Sequence, residues 1–450
     1  MRQDPTEHSF LLMQCPKCNE LKNDHYLVWV GNRAIQTQIK CELNDGGKRA
    51  ILNNIWGKKL GIPPGRYRVF QYYENNIRLG PLVGILTNRD KHAIYPTGKN
   101  AKIFKEMFSA ARNQGVFLFE FYPEGVNIKN KTIKGHSIDR LGKFYSSTFP
   151  FPDVVYNRIR YRVIENGKDV KRVLKIFENA PGVNVFNTRF LNKLEVYRVL
   201  KKNPSTGGFI PETAIYNTNS LKYFLGKYGT IYLKPIANSR GKGIIKLGRG
   251  VSSGTYYVQH AAKAYSDYHP NLTQAHLKMK QYGLKPMRYL VQKAIPLATY
   301  RGRPFDLRVQ VQKDANGKWM LTGVGARVAG PNRIVTHVPN GGTAKAFDSV
   351  INEAFKETIS INNDINKQLL YITGTVPEAL EKGLKLELAI LSMDIGIDNN
   401  GKLWLIEVNS KPASFDEDAI RKVHTQTLVD YFIFCASNTK RTKGMNGLWN

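Results

Sequence analysis

Asp394, Glu407 and Asn409 offer three oxygen donors at a spacing that paired strands would bring together. Glu407 and Asn409 are two residues apart, so on a strand they face the same side. Asp394 lies in LSMDIGID and the other two in LWLIEVN, either side of Asn399-Asn400-Gly401-Lys402, a hairpin signal. Closing that hairpin with Asp398 against Leu403 sets Asp394 opposite Glu407 on one face. Oxygen donors of this kind suit magnesium, a hard ion that keeps waters and shares phosphates with a substrate. The plainer reading makes Glu407 and Asn409 the solvated face of an edge strand, and spacing alone leaves the two level.

Lys234-Pro235-Ile236-Ala237-Asn238-Ser239-Arg240-Gly241-Lys242-Gly243 ends a strand on lysine and continues as a small-residue loop. Gly241 and Gly243 would let backbone N–H groups approach a phosphate closely, with Lys234 and Lys242 supplying charge. Read alone, the stretch is an ordinary glycine-rich hairpin. Asp306 and Arg308 open another strand on a shared face, where Arg308 could grip phosphate or carboxylate through its planar fork. Their mutual ion pair is the alternative. Gly341-Gly342, after His337 and Asn340, reads locally as a turn.

Other chemistries are set aside. The chain has no G-x-x-x-x-G-K-[ST] loop, no G-x-G-x-x-G after a strand and no H-E-x-x-H. Gly250-Val251-Ser252-Ser253-Gly254 spells G-x-S-x-G, but a strand follows where a nucleophile elbow needs a helix. Cys15 and Cys18 form a Cys-x-x-Cys that could hold half a zinc site, with His8, His25 or Cys41 adding ligands. No second Cys-x-x-Cys exists, so a tight turn with two free thiols is the favoured reading.

The elements that must position these residues are α/β in character. The first eighty residues read as short strands and turns, with a hairpin about Gly31-Asn32. PLVGILT, VFLFEF and PDVVYNRI alternate with a helix over Lys99–Arg112, an open α/β unit. Arg189–Lys202 reads as a helix. Strands are expected over 230–235, 243–247, 288–295, 307–314 and 319–328, and a helix over Val376–Leu391.

With 450 residues and 42% hydrophobic content, the chain has ample length for a core and no disordered or fibrous signature. The net charge is +32, which speaks about anionic partners rather than fold. Residues 151–300 hold 25 Lys/Arg against 7 Asp/Glu, whereas residues 361–420 hold 5 against 10. A basic middle and an acidic end are what phosphate and metal binding would each want, although solvated faces give the same count. Four cysteines build no dense disulfide framework, no secretory signal is visible and no apolar run would cross a bilayer. The expectation is a cytoplasmic protein.

The order of the motifs resembles the ATP-grasp superfamily from about Asn187 to Pro412, through NTRFLNKLEVYRVL, IPET, YLKPIANSRGKG, FDLRV and IEVNSKPA. With FPDVVYNRI upstream and THVPNGG downstream, the chain resembles the YheC/YheD-type endospore coat-associated group over roughly residues 80–435. The resemblance implies an ATP-grasp fold over 186–435, with lobes at about 208–295 and 296–435. A strand-rich lobe over 1–80 and a pre-grasp α/β domain over 81–185 would precede it, and a tail over 436–450 would follow. It implies ATP and one or two magnesium ions. Lys193 and Lys234 would be the phosphate lysines, with Ser239, Arg240, Gly241, Lys242 and Gly243 a flap over them. Gln292, Lys293, Ala294 and Ile295 would be the adenine hinge and Arg308 would steady the transferred phosphate. Asp394, Glu407 and Asn409 would hold metal.

The implied activity is a carboxylate–amine ligation through an acyl-phosphate, on small-molecule or peptide substrates or an acidic polymer. The alternative is a basic protein binding nucleic acid or another anionic polymer, or a spore-coat component with little catalysis. This chain departs from the pattern at Gln292-Lys293, where many members carry an acid for the ribose. It departs again at His337, where amino-acid ligases often have Asn.

Overall fold

The computed structural model describes residues 10–15, 25–44, 47–89, 101–237, 241–356, 359–412, 415 and 417–439. Ser239, Arg240 and Cys18 lie outside the described residues.

Strands Phe10–Cys15, Tyr26–Val30, Arg33–Leu43, Arg49–Leu52, Gly65–Tyr73 and Asn76–Leu79 close into a barrel. Alternation drives it: Tyr26, Val28 and Val30 point inward and are buried, with their neighbours half-buried. Gly31, at φ +55, makes the two-residue turn that joins the second and third strands. Inside this lobe Cys15 forms a disulfide with Cys41. That corrects the expectation of free thiols and takes Cys15 away from a zinc site.

The next sheet has a parallel centre, Leu82–Leu86, Phe117–Asn127, Val154–Asn157 and Asn184–Phe186, in which Leu82–Leu86 lies between the second and third of these. Every residue of Leu82–Leu86 is buried, as expected of a central parallel strand covered on both faces. Thr132–Ile138 and Phe144–Pro150 extend the sheet antiparallel. Helix Ala101–Asn113 covers one face together with the C-terminal helix Asp418–Ser437, packing Phe104, Met107 and Phe108 against Leu428 and Phe432. Helix Lys168–Asn179 covers the other face with Val170, Val173 and Phe177.

Two further sheets clasp the site. One runs in the order Thr213–Ile215, Tyr289–Lys293, Thr230–Pro235, Ile245–Arg249, Tyr256–His260, Asp267–His269, with helices Thr218–Tyr228 and Leu272–Gln281 on one face. The G-x-S-x-G stretch is the turn between two of these strands. The other sheet runs Thr343–Lys345, Trp319–Val328, Arg303–Lys313, Ile390–Ile397, Leu403–Asn409, antiparallel throughout.

The helix expected over Val376–Leu391 instead spans Ile359–Leu384. Its buried stripe, Ile365, Leu369, Ile372, Val376 and Leu380, starts inside an Asn-rich stretch that hides the period. It stops at Lys385, which takes φ +53, and the apolar run beyond belongs to the strand from Ile390. The helix expected over Arg189–Lys202 begins at Lys193, because the Asn192 side chain accepts from the N–H groups of Leu194 and Glu195. Asn187, at φ +53, ties the sheets together: its side-chain amide donates to Ile390 O at 2.7 Å and Ser410 O at 2.6 Å and accepts from Ala389 N at 2.8 Å.

Candidate functional site

The site grows from the hairpin Ile390–Asn409. Its turn closes one residue tighter than the expected Asp398–Leu403 pairing: Asp398 N donates to Lys402 O at 3.0 Å and Ile397 pairs with Leu403. A bulge between Asp394 and Ile395 then absorbs one residue of the partner strand, so that Asp394 still lies opposite Glu407 and Ser392 opposite Asn409. On the other side Arg308 lies opposite Asp394, and Arg327 opposite Asp306.

That register sets the charges. Arg308 Nη1 donates to Asp394 Oδ1 at 2.7 Å, while Arg327 forks onto Asp306 at 2.8 and 2.7 Å and reaches Asp394 Oδ2 at 3.1 Å. The mutual Asp306–Arg308 pair considered from sequence does not form, because each finds its partner across strands instead of along its own. Arg327, which sequence reading passed over, is central. The signal for it was present in the hairpin 307–328, whose register carries Arg327 to Asp306. Asp394 is buried; desolvation alone would raise its pKa, but Arg327 and then Arg308 overrule that and hold the carboxyl well below the usual carboxylate range.

A cleft opens beside this network, walled by Val196, Leu200, Ile210, Leu290 and Leu405 and carrying Lys193, Lys234, Gln292 and Glu407. Apolar walls with a few convergent polar groups are the usual form of a small-molecule site. Lys193 Nζ lies 3.5 Å from Glu407 Oε2, and Lys234 Nζ donates to Gln292 Oε1 at 2.5 Å. Gln292 donates in turn to Thr213 Oγ1 at 2.8 Å. The cleft thus brings together both lysines, Gln292 and Glu407 from four separate elements. Of the other residues expected at the hinge, the Lys293 N–H is taken by Glu212 O at 2.9 Å and the Ala294 N–H by Thr230 O at 3.3 Å, so those two donors are already used.

Gly241 and Gly243 take φ +71 and +77, and a Cβ on Gly241 would stand 3.1 Å from Asn340 Nδ2 and 3.7 Å from His337 Nδ1. The glycine loop therefore packs against the loop that carries His337. His337 Nε2 is 4.0 Å from Asp394 Oδ2, and its Nδ1 is buried with no hydrogen-bond partner among the described residues. Burial lowers its pKa, against the pull of Asp394.

Burial first, then the charge of Lys193, lowers the Lys234 pKa from 10.5 to about 8, with Glu407 opposing. Between those values the unfolded chain binds the proton that the fold has released, so this group makes the empty protein more stable as pH rises. Anion binding has the opposite sign, because a phosphate needs the ammonium. Affinity for ATP is expected to fall above pH 8, by up to about tenfold per unit, and Lys234→Met should flatten that dependence. Calorimetric titrations between pH 7 and 9.5 would read it. An affinity flat across that range in the intact protein would exclude Lys234 as a phosphate contact.

The fit to magnesium is one of kind. Asp394, Glu407 and Asn409 are hard oxygen donors on two paired strands, and Ser392 Oγ beside Asn409 is buried without a partner among the described residues. Both Asp394 oxygens already meet guanidinium groups and Glu407 meets Lys193, and no cluster of three or more His, Cys, Asp or Glu shaped for a metal occurs among the described residues. An ion here must displace the loose Lys193 contact and share Asp394 with Arg308 and Arg327.

The chain is 28% identical to the endospore coat-associated protein YheD of Bacillus subtilis (strain 168) over 76% of its own length and 74% of that protein's. It is 23% identical to YheC of the same organism, over 68% of its own length and 84% of that protein's. Solved structures with similar architecture include D-alanyl-alanine synthetase A from Vibrio cholerae, 14% identical at TM-score 0.43 over 80% of this chain and 98% of that one. VanG D-Ala:D-Ser ligase from Enterococcus faecalis is 10% identical at TM-score 0.45, over 79% and 99%. No helix of the described residues is long and apolar enough to cross a membrane. A family model for YheC/D-like ATP-grasp matches residues 182–436, which takes in the cleft, both lysines and the Asp394–Glu407 pair; the chain belongs to the YheC/D-like ATP-grasp family.

Proposed function

We propose that the chain is an ATP- and magnesium-dependent carboxylate–amine ligase. The observation that carries the reading is the cleft that sets Lys193 and Lys234 beside Glu407, next to the buried Asp394 and its partners Arg308 and Arg327. The apolar walls would take the adenine, and the lysines with the Gly241–Gly243 backbone would take the phosphates. A substrate carboxylate oxygen attacks the γ-phosphorus and ADP leaves, giving an acyl-phosphate. An amine then attacks the acyl carbon; phosphate leaves, the nitrogen loses a proton and an amide remains. Arg308, held by Asp394, would steady the transferred group. Magnesium held by Asp394, Glu407 and Asn409 would neutralise charge on the polyphosphate. Catalysis in such a site is positioning and charge stabilisation, so no side-chain nucleophile is required. Because both curated relatives are named endospore coat-associated, we place the reaction in the same setting.

Magnesium-ATP at ~100 times its dissociation constant should stabilise the fold by roughly 2.7 kcal/mol. Thermal unfolding with and without nucleotide measures this, and a screen of acid and amine pools for phosphate release, with mass spectrometry of the products, identifies the chemistry. No shift at saturating ATP and magnesium would end the ligase reading.

A further inference from the structure

Strands Leu82–Leu86 and Val154–Asn157 are parallel neighbours, and the chain leaves them towards opposite edges of the sheet, to Phe117–Asn127 and to Asn184–Phe186. This is a topological switch point, where open parallel sheets bind ligands in the crevice beyond the carboxyl ends of the strands. Arginine stands at every second position beyond one of those ends: Arg158, Arg160 and Arg162. Their backbone is held to the neighbouring strand end, Arg158 N donating to Leu86 O at 2.8 Å and Arg160 N to Asn88 Oδ1 at 3.1 Å.

The crevice abuts the cleft. Lys411 Nζ, two residues beyond Asn409, donates to Asn157 O at 2.6 Å, and Arg162 lies within the electrostatic reach of Glu407. The acids nearby are spent. Glu165 accepts from Asn157 Nδ2 at 3.0 Å and Phe190 N at 2.6 Å and pairs with Lys411 at 3.0 Å, while Glu195 takes Arg189 at 2.8 Å. Arg158 is left with the Tyr156 hydroxyl at 3.1 Å, and Arg162 with Leu191 O at 2.9 Å and the Phe190 ring, 5.0 Å from its guanidinium. Among the described residues neither makes an ion pair with a carboxylate, in contrast to Arg308 and Arg327. Arg162 feels Glu165 first, then Glu407 and Glu195, without touching any of them. A part-buried guanidinium with no carboxylate in contact keeps its fork open, and that fork matches a carboxylate in two parallel hydrogen bonds.

We infer that this crevice seats an acidic peptide as co-substrate, its carboxylates held by Arg158 and Arg162 and one of them presented to the cleft. The inference rests on the ligase reading and names the substrate class of that site. The backbone is extended at Tyr161, with φ −122 and ψ 124, and four residues of extended chain reach at most about 14 Å. Arg158 and Arg162 stand four residues apart, a reach longer than one carboxylate, so each takes its own acid on an extended peptide. Tyr161 and Val163, 55% and 86% exposed, give such a peptide an apolar ledge alongside. A nucleic acid would satisfy the arginines but brings no carboxylate to the γ-phosphate.

The test uses the full chain with magnesium and a non-hydrolysable ATP analogue, titrated with tetraglutamate in a calorimeter. Wild type is expected to bind tetraglutamate, with Arg158→Ala and Arg162→Ala each weakening it tenfold or more. Arg162→Lys, which keeps charge but loses the fork, should recover only part. Should Arg162→Ala fail to fold, as judged by near-ultraviolet circular dichroism, Arg158→Ala carries the test, since among the described residues the Arg158 guanidinium contacts only the Tyr156 hydroxyl and ring. Wild type that binds the nucleotide but not tetraglutamate overturns this inference alone; wild type that binds no nucleotide overturns the ligase reading with it. Variants that bind tetraglutamate as wild type does, or a single-stranded oligonucleotide that binds more tightly than tetraglutamate, also overturn it.

Discussion

Glu407→Gln is expected to cut ATP-dependent turnover by about 10²–10³-fold while the protein stays folded. The exchange keeps shape and removes one negative charge from a cleft where Glu407 faces Asp394 across the strand pair and Lys193 at 3.5 Å. Two consequences follow from the charge. In the proposed role magnesium would lose a donor, so the concentration giving half-maximal rate should rise. The lysines lose their nearest countercharge, so ATP alone should bind at least as tightly as to wild type. Phosphate release measured against magnesium concentration, beside ATP titrations without metal, separates these effects. Unchanged turnover would leave Glu407 as no more than a countercharge for Lys193.

Arg327→Met should be the most damaging single change to the fold, at about 3–5 kcal/mol. Methionine fills similar space, but Asp306 loses both its guanidinium hydrogen bonds and Asp394 one of its two cations. Both carboxylates are buried, so the penalty is that of uncompensated charge rather than of a missing contact. Adding Asp306→Asn should recover part of the loss, because it removes one of the stranded charges. The pH dependence carries a sign. In wild type the depressed Asp394 pKa contributes stability that is present above the ordinary carboxylate value near 4 and lost as pH falls through the folded one. Without Arg327 that pKa rises, so the acid limb of the stability curve should flatten. Urea unfolding of wild type and both variants between pH 2 and 7 measures all of this; a loss under about 1 kcal/mol at pH 7 would mean that water reaches the pair.

Local pattern was enough for most of the site's parts. Two-residue alternation and turn chemistry marked the strands that carry Lys234, Arg308, Asp394 and Glu407, since strand period and Asn-Gly turns act within a few residues. Order along the chain then placed those parts in one superfamily. The C-terminal helix Asp418–Ser437 escaped notice because its buried positions include Arg421, His424, Thr425 and Thr427, which break the apolar stripe. The strands Thr132–Ile138 and Phe144–Pro150 escaped because they join an edge and carry Lys, His and Ser outward.

By itself, then, the sequence determined which residues sit on strands, which share a face along one strand, and which family they belong to. Only the tertiary structure decided who meets whom. Arg308 pairs with Asp394 instead of Asp306, Arg327 enters the site, a bulge recovers the Asp394–Glu407 pairing from a tighter turn, and Cys15 bonds Cys41 rather than standing free. Each of these depends on cross-strand register. Register is chosen by the packing of whole faces and by where a single unpaired residue is absorbed, and a shift of one position exchanges every partner on the strand.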